Sequence, residues 1–261
     1  MFNFNLSVKI YRSIVILYLL KMSTEENKTK RIRRSKADIE KCIVKAAKDL
    51  VLMKGFSKVS VLDIIKRAKI EPITFYSRYR NQEKFYEYFV REYDYWFTDI
   101  INTEDINERS ENAYVSILTS LLHELSKDSV MLELLRWEIS EINNTTMRTA
   151  MNRELHTLPL VSQYETDFKD SDIDISAISS LLIGGIYYLC LHKGCSTFCR
   201  IDLKTQEGIQ KIQNALRSIG HILYERQKNA TSENKDKLEL IAERMKLKGM
   251  SSEDIEYCLM K

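Results

Sequence analysis

The segment Ser60–Phe85, SVLDIIKRAKIEPITFYSRYRNQEKF, places two short amphipathic stretches on either side of the connector AKIEP. Ser60 is a favourable N-cap residue for the first stretch, with Asp63 at the N3 position. The apolar side chains that follow have the i, i+3, i+4, i+7 spacing of one helical face: Val61, Ile64, Ile65 and Ala68. Pro72 suits the first turn of the second helix. Two helices joined by so short a turn predict a helix-turn-helix.

The second helix of this segment, expected to run from Pro72 to about Tyr79, has little apolar surface. Phe75, Tyr79 and the preceding Ile70 are its expected anchors against neighbouring helices. The opposite face carries side chains that can meet base edges and phosphates: Ile73, Thr74, Ser77 and Arg78. The sequence therefore predicts that this helix enters the major groove of DNA.

The rest of the chain also has helical patterning. Seven Gly and two Pro in 261 residues are too few for the turns of a sheet protein. Ser35 and Gly55 are the expected ends of a first helix, and Asn81 begins a fourth that is expected to reach about Ile101. Further helices are predicted at about 109–127, 128–142, 145–166, 174–193 and 203–227. A polar linker, KNATSENKDK, and a small helical hairpin at 236–261 are predicted to follow, so the fold class is all-α.

Charge is distributed unevenly along the chain. The stretch 28–91 holds 18 Lys or Arg and 7 Asp or Glu, a local net charge of +11, whereas the whole chain is only +3. A basic amino-terminal module on an acidic body indicates a polyanionic partner. The run TKRIRRSK, residues 29–36, is expected to lie on phosphates or in the minor groove through Arg31, Arg33 and Arg34; a solvated tail is the alternative.

The segment around the predicted helix-turn-helix resembles the signature of the TetR family. The matching elements, within about residues 36–90, are Ser60, Ile64-Ile65, Ala68-Lys69-Ile70, Thr74-Phe75-Tyr76, Tyr79 and Gln82-Glu83-Lys84-Phe85. The resemblance implies a homodimeric transcription regulator, usually a repressor, that binds a palindromic operator in double-stranded DNA. It also implies release by a small molecule, here unidentified, that binds in a larger carboxy-terminal helical domain.

By position in the family pattern, Ser60 and Tyr76 are the expected phosphate-contacting hydroxyls. The expected groove-facing set is Pro72, Ile73, Thr74, Ser77 and Arg78. The helices at 174–193 and 203–227 resemble the pair that forms a four-helix dimer interface. Its expected residues here are Ile178, Leu182, Gly185, Leu189, Ile212, Leu216 and Ile219. The implied organisation is a flexible extension at 1–28, a DNA-binding domain at 29–90, a regulatory and dimerisation domain at 91–228, and a linker and hairpin at 229–261.

Three positions depart from the family pattern. Lys69 replaces the usual glycine of the turn, which costs strain if the turn requires a positive φ. Glu71 replaces a serine before the recognition helix and carries negative charge towards DNA. Gln82 replaces a lysine that contacts the DNA backbone, and Lys84 is the candidate substitute.

The effector site has no motif. His123, Trp137, Tyr164 and Tyr187 are the candidate lining residues of a ligand pocket, and a plain aromatic core is the alternative. The segment CLHKGCSTFC, residues 190–199, contains three Cys and one His, which suggests metal binding or thiol sensing as hypotheses. Its spacing is atypical of zinc sites, so the favoured interpretation is that these cysteines are small buried residues. The odd number of cysteines, five, indicates reduced thiols in a cytoplasmic protein. No cofactor and no resident metal are expected.

The sequence bears on two other classes of function. An enzyme is disfavoured because the sequence has no Gly-rich phosphate loop, nucleophile elbow or His-Glu-x-x-His motif. The apolar run at 14–20 is too short to cross a bilayer, which needs about 20 residues. We expect residues 1–21 to be a dispensable extension before a biological start at Met22, and an interfacial anchor is the alternative. That alternative leads to the second hypothesis for the chain, a membrane-tethered or protein-binding helical adaptor.

Overall fold

The computed structural model describes residues 34–103 and 110–259. Within these ranges the chain is helical, apart from an isolated bridge between Phe198 and Ile201. The helices are α1 Lys36–Lys54, α2 Val61–Ala68, α3 Pro72–Tyr76, α4 Gln82–Val90, α5 Trp96–Thr103, α6 Glu111–Lys127, α7 Ser129–Ser140, α8 Asn144–Phe168, α9 Ile175–His192, α10 Gln206–Leu247 and α11 Ser252–Leu259. The expected all-α class is confirmed.

The chain divides into two compact units, one ending at Cys42 and one beginning at Ile43. In the first unit, the described residues form the start of α1. Ser35 accepts a hydrogen bond at Oγ from the Asp38 backbone N–H at 3.0 Å, and its hydroxyl donates to the Asp38 carboxylate at 2.7 Å. This confirms the predicted N-cap. The remaining features all lie within the second unit.

The amino-terminal helices of the second unit bury one apolar face each. Gly55, with φ of 78°, turns the chain after α1, and Phe56 is buried in the short 3-10 turn that follows. The predicted stripe of α2 is buried as expected, because its four members share one side of a two-turn helix. The buried side chains of α1, α2 and α4 are Ile43, Ala46, Ala47, Val51, Val61, Ile64, Ile65, Ala68, Phe85, Tyr86, Phe89 and Val90.

The predicted fourth helix is wrong in one respect, because it does not continue unbroken to Ile101. It ends at Val90, and a 3-10 turn over Arg91–Tyr93 separates it from α5. The cause lies far away in sequence. Asp94 is buried and accepts hydrogen bonds from the Thr149 hydroxyl at 2.7 Å and the Asn152 amide at 2.9 Å. A carboxylate held this way fixes the chain direction at the junction.

The body is built on α6, whose apolar face carries Leu118, Leu121, Leu122 and Leu125 into the core. Helix α10 packs closely against it at Gly220. A Cβ atom at that position would lie 2.4 Å from the Val115 Cγ2 atom. The glycine is therefore required by close helix approach. The predicted ranges of α6 to α9 agree with the structure to within two residues at each end.

The predicted linker after Gln227 is helical in the structure. Helix α10 continues through KNATSENKDK to Leu247, for 42 residues in all, because that polar run contains neither Gly nor Pro to end it. Gly249, with φ of 85°, then reverses the chain. Ser251 caps α11 by accepting from the Asp254 backbone N–H at 3.2 Å. The hairpin exists, with the end of α10 as its first arm.

Helix α9 is unusually apolar for its position. Its 18 residues have a mean hydropathy of 1.6, enough by length and composition for a membrane span, yet only 17% of them are buried within the chain. One such helix is weak evidence of a membrane. Leu181 is 76% exposed, and a Cβ at Gly184 or Gly185 would touch nothing within 4 Å. The helix therefore presents an open apolar face.

Candidate nucleic-acid interface

The entrance to α2 is fixed by a reciprocal hydrogen-bond pair. Ser60 Oγ accepts from the Asp63 backbone N–H at 3.2 Å, and the Asp63 carboxylate accepts from the Ser60 backbone N–H at 3.0 Å. Lys54 adds an ion pair to the same carboxylate at 2.7 Å. The Ser60 hydroxyl, expected to contact a phosphate, therefore already donates to Asp63 at 2.7 Å. A DNA phosphate only accepts hydrogen bonds, so contact with it would require this hydroxyl to turn away from Asp63.

The turn between α2 and α3 places Lys69 in the left-handed region, with φ of 52° and ψ of 54°. Its backbone N–H bonds to the carbonyls of Ile65 and Lys66, which ends α2. A side chain with a Cβ is strained in this conformation, and glycine is not. The strain expected for lysine at a glycine position of the family pattern is therefore present.

Helix α3 is short but firmly anchored. It ends at Tyr76 rather than about Tyr79, although the Tyr79 backbone N–H still reaches the Phe75 carbonyl at 2.9 Å. Phe75 is fully buried, and its ring centroid lies 5.3 Å from that of Tyr79 and 5.4 Å from that of Phe85. Two buried aromatic side chains hold the helix, as predicted. The helix thus needs no apolar residue on its outer side.

The outer face of α3 is open to solvent. Ile73 is 78% exposed and Tyr76 is 48% exposed, and Pro72 and Ser77 are exposed as well. Thr74 and Arg78 are half-buried. Their positions are linked, since the Arg78 guanidinium donates to the Thr74 carbonyl at 3.4 Å. The structure places Pro72, Ile73 and Thr74 of the expected groove-facing set on α3, and Ser77 and Arg78 in the turn directly after it.

The start of α4 differs from a simple phosphate clamp. Asn81 caps the helix by accepting from the Lys84 backbone N–H at 2.8 Å. The Gln82 amide turns inward and donates to the Val59 carbonyl at 3.1 Å. Lys84, the candidate substitute, forms an ion pair with Glu87 at 2.8 Å, and this ammonium group is the first cause of the lowered pKa of Glu87. Lys84 would have to exchange this partner to bind DNA.

Further exposed cations lie close to α3 in the sequence, outside the set expected to contact DNA. Lys58, Lys66, Lys69 and Arg80 are exposed on the turns and helix ends next to it. Their proximity in sequence to the recognition segment was the available signal. Of the basic arm, Arg34 is exposed, whereas Arg31 and Arg33 lie outside the described residues, as does the whole 1–28 extension.

The segment 56–90, which includes the helix-turn-helix, contacts the rest of the chain at two places. The Phe56 and Trp137 rings stack 4.8 Å apart, and the Trp137 indole donates to Glu141 at 2.8 Å. On α4, Glu87 pairs with Arg148 of α8 at 3.3 Å. Residues near both ends of the α7–α8 connection therefore contact the segment 56–90, which is called the head below.

The predicted pocket residues do not come together. Tyr164 lines a cavity of about 220 Å³ between α5, α6, α8 and α9. Trp137 is instead part of the contact with Phe56, and His123 is an exposed neighbour of Glu124. Tyr187 is half-buried outside the cavity lining, and burial raises the pKa of its phenol.

The cysteine segment spreads out in the structure. Cys190 is buried and its burial raises the pKa of the thiol to about 11, whereas Cys195 and Cys199 are exposed in the loop after α9. Within the described ranges, no three His, Cys, Asp or Glu side chains are grouped so that they could hold a metal ion.

The predicted dimer face needs one correction. Leu216 is buried within the chain, where α10 packs on the body, so it is not available to a second copy. Gly185 is exposed, and the other five predicted positions are half-buried: Ile178, Leu182, Leu189, Ile212 and Ile219. Three apolar side chains are more open than these within α9 and the part of α10 up to residue 227: Leu181, Tyr188 and Ile222.

The sequence matches no model of a known protein family, and it matches no curated protein. Solved structures do match. Salmonella enterica GusR is similar with a TM-score of 0.54 and 16% sequence identity, over 76% of this chain and 98% of that one. The fatty acid degradation regulator FadR from Bacillus halodurans is similar with a TM-score of 0.52 and 15% identity, over 71% and 97% of the two chains.

A TetR family transcription regulator from Marinobacter aquaeolei VT8 is similar with a TM-score of 0.51 and 17% identity, covering 70% of this chain and 95% of that one. These alignments include nearly the whole of each neighbour. The chain has the fold of the TetR-family transcription regulators.

Proposed function

We propose that this chain is a DNA-binding transcription regulator rather than an enzyme, and that it acts as a cytoplasmic repressor. Two copies bind a palindromic operator, and a small molecule in the body releases them. The observation that carries the proposal is the outer face of α3, where Ile73, Tyr76 and Ser77 are exposed above a fully buried Phe75. A short, anchored helix with one side exposed to solvent is what reading base edges requires.

The open face of α9 supports the homodimer. An apolar surface around Leu181, with no obstruction at Gly184 and Gly185, favours a close helix partner. A second copy supplies the same surface, as a two-fold interface requires. Two recognition helices would then meet successive major grooves, spaced by roughly 34 Å or somewhat more.

The cavity in the body supports ligand control. Its walls include α5, which follows the DNA-binding helices, and α8, which contacts α4 through Arg148. A ligand there can favour one position of the head over another. A preference of about 100-fold for the non-binding state shifts the equilibrium by about 2.7 kcal/mol.

Selection of bound sequences from a random duplex pool tests the DNA-binding role. We expect enrichment of an inverted repeat with half-sites about one helical turn apart. Failure to enrich any sequence, with the protein folded and dimeric, would refute the proposal and favour the adaptor role.

The recognition surface is tested on the selected duplex. Tyr76→Phe combined with Arg78→Ala should weaken binding by about 1–3 kcal/mol for each lost contact, while helical content stays unchanged. The control is Tyr257→Phe with Arg244→Ala on the exposed carboxy-terminal hairpin, which should bind as the parent does. Removal of residues 29–34 should lower the salt slope of binding by about 0.9 per lost phosphate contact.

A further inference from the structure

The cavity between α5, α6, α8 and α9 is a built apolar chamber. Its volume is about 220 Å³. Its aliphatic and aromatic walls include Phe97, Ile117, Leu118, Val161, Ile175 and Ile183. An engineered apolar cavity of about 150 Å³ binds benzene, so this one has room for roughly nine non-hydrogen atoms. Apolar walls of this kind favour an apolar ligand body.

One polar feature is held at a fixed place in these walls. The Tyr114 and Ser179 hydroxyls lie 2.9 Å apart, within hydrogen-bond distance. Tyr114 is buried, and burial raises the pKa of its phenol, so the group keeps its proton. Two hydroxyls that bond to each other use one hydrogen between them, which leaves a second hydrogen and several lone pairs for a guest.

The other serine hydroxyls of the cavity are committed elsewhere as donors. Ser176 donates to the Glu165 carboxylate at 2.7 Å, and Ser180 donates to the Ser176 carbonyl at 2.9 Å. The Tyr114–Ser179 pair is therefore the better placed of these hydroxyl groups to orient a ligand.

The charges around the cavity decide the sign of the ligand. Within the described part of the chain, no lysine, arginine or histidine side chain lines it, and the acidic residue that does, Glu154, is exposed. A carboxylate or phosphate moved into this chamber would lose its hydration without gaining a cationic partner. An amine could approach Glu154 only where water screens the carboxylate.

We propose that the cavity takes an uncharged, mostly apolar molecule of roughly nine non-hydrogen atoms, with one hydroxyl or carbonyl oxygen bound by the Tyr114–Ser179 pair. The inference rests on the proposed function only in treating this molecule as the effector. The binding itself is a property of the body and requires no DNA.

The test uses the full chain and four matched probes: 2-phenylethanol, ethylbenzene, phenylacetate and 2-phenylethylamine. Calorimetric titration should show 2-phenylethanol binding at least tenfold more tightly than phenylacetate. Ser179→Ala with Tyr114→Phe should weaken the alcohol about 3- to 10-fold and leave ethylbenzene unchanged, because only the hydrogen bond is lost.

Val161→Trp, which fills the chamber, should abolish binding of all four probes. Ile139→Trp, on an exposed surface of α7, is the matched control and should bind as the parent does. Circular dichroism checks that both variants fold.

Three results would overturn the inference: phenylacetate binding as tightly as the alcohol, an amine preference that Glu154→Gln removes, or no binding of the alcohol to the folded parent. Any of these results would contradict the ligand site without affecting the operator-selection experiment. Conversely, a chain that binds 2-phenylethanol but enriches no duplex would support the ligand site and contradict the proposed function as a DNA-binding regulator.

Discussion

The rings of Phe56 and Trp137 lie parallel, 4° apart in orientation and 4.8 Å between centroids, although 80 positions separate them in the chain. Tyr86 closes the same contact, since its hydroxyl donates to the carbonyls of Phe56 and Val59 at 3.2 and 3.1 Å. The turn that leads into the helix-turn-helix is thereby packed against α7.

Trp137→Ala should cost about 3–5 kcal/mol of unfolding free energy, because a large buried ring is replaced by a void. Urea denaturation measures this value. Ile142→Ala, at a residue that is 86% exposed, is the control and should change stability by less than about 0.5 kcal/mol. A loss below about 1 kcal/mol for Trp137→Ala would contradict the packing role.

The buried ion pair between Arg153 and Glu138 should be sensitive to loss of one partner. Both side chains are nearly buried, and burial is the first cause of the raised pKa of Glu138. Arg153→Met should cost about 3–5 kcal/mol because it strands a buried carboxylate, and Glu138→Gln in addition should recover part of that loss. The exposed pair Arg226–Asp172 is the comparison, and Arg226→Met should leave the urea midpoint nearly unchanged.

Lys69→Gly should stabilise the chain. The left-handed conformation at φ 52° strains lysine, and glycine removes that strain at a smaller cost in unfolded-state entropy. We expect a gain of up to about 1 kcal/mol, seen as a higher melting temperature. Lys66→Gly, inside the last turn of α2, should instead destabilise by about 1 kcal/mol. A lower melting temperature for Lys69→Gly would refute the strain.

The Asp63 contribution to stability should depend on pH. The Lys54 ammonium, followed by the Ser60 hydroxyl and backbone N–H, holds the pKa of Asp63 well below its ordinary value of 3.8. A folded-state pKa below the unfolded one stabilises the fold above about pH 4, and the effect is lost as pH falls towards the folded pKa. The difference in melting temperature between the parent and Asp63→Asn should therefore shrink from about pH 7 to about pH 2. A constant difference would argue against this linkage.

Leu181→Glu should convert the proposed dimer to a monomer without unfolding it. The side chain is 76% exposed, so a carboxylate there costs nothing within one chain but meets its own copy across a two-fold axis. Light scattering gives the mass and circular dichroism gives the helical content. Leu247→Glu, at a side chain that is 87% exposed on the last turn of α10, should keep the mass of the parent.

Features that depend on neighbouring residues were predictable from the sequence. The Ser60–Asp63 cap, the burial of Phe75 and the exposed face of α3 follow from spacing of three or four residues, since one helical turn brings those groups together. The left-handed conformation of Lys69 could be predicted only through the family pattern, which usually has glycine at this position of the turn.

Features that depend on distant residues were not predictable. The break after Val90 is set by hydrogen bonds from Thr149 and Asn152 to Asp94, more than 50 positions away. The Tyr114–Ser179 contact is likewise between residues far apart in sequence. So is the contact of Trp137 with Phe56, which places Trp137 away from the cavity. The continuation of α10 is a different case. The polar composition of KNATSENKDK predicts a linker, but the segment contains no Gly or Pro to end the helix.

The outer half of α10 behaves as a peptide attached to a protein. Residues 231–241 are all exposed, and Asn234, whose amide donates to the Asp170 carbonyl at 3.0 Å, makes a long-range contact near the start of this stretch, so the intrinsic coil-to-helix balance contributes much of its stability. On warming, this arm should unwind gradually, giving a sloping ellipticity baseline well before the cooperative melt and almost no calorimetric heat.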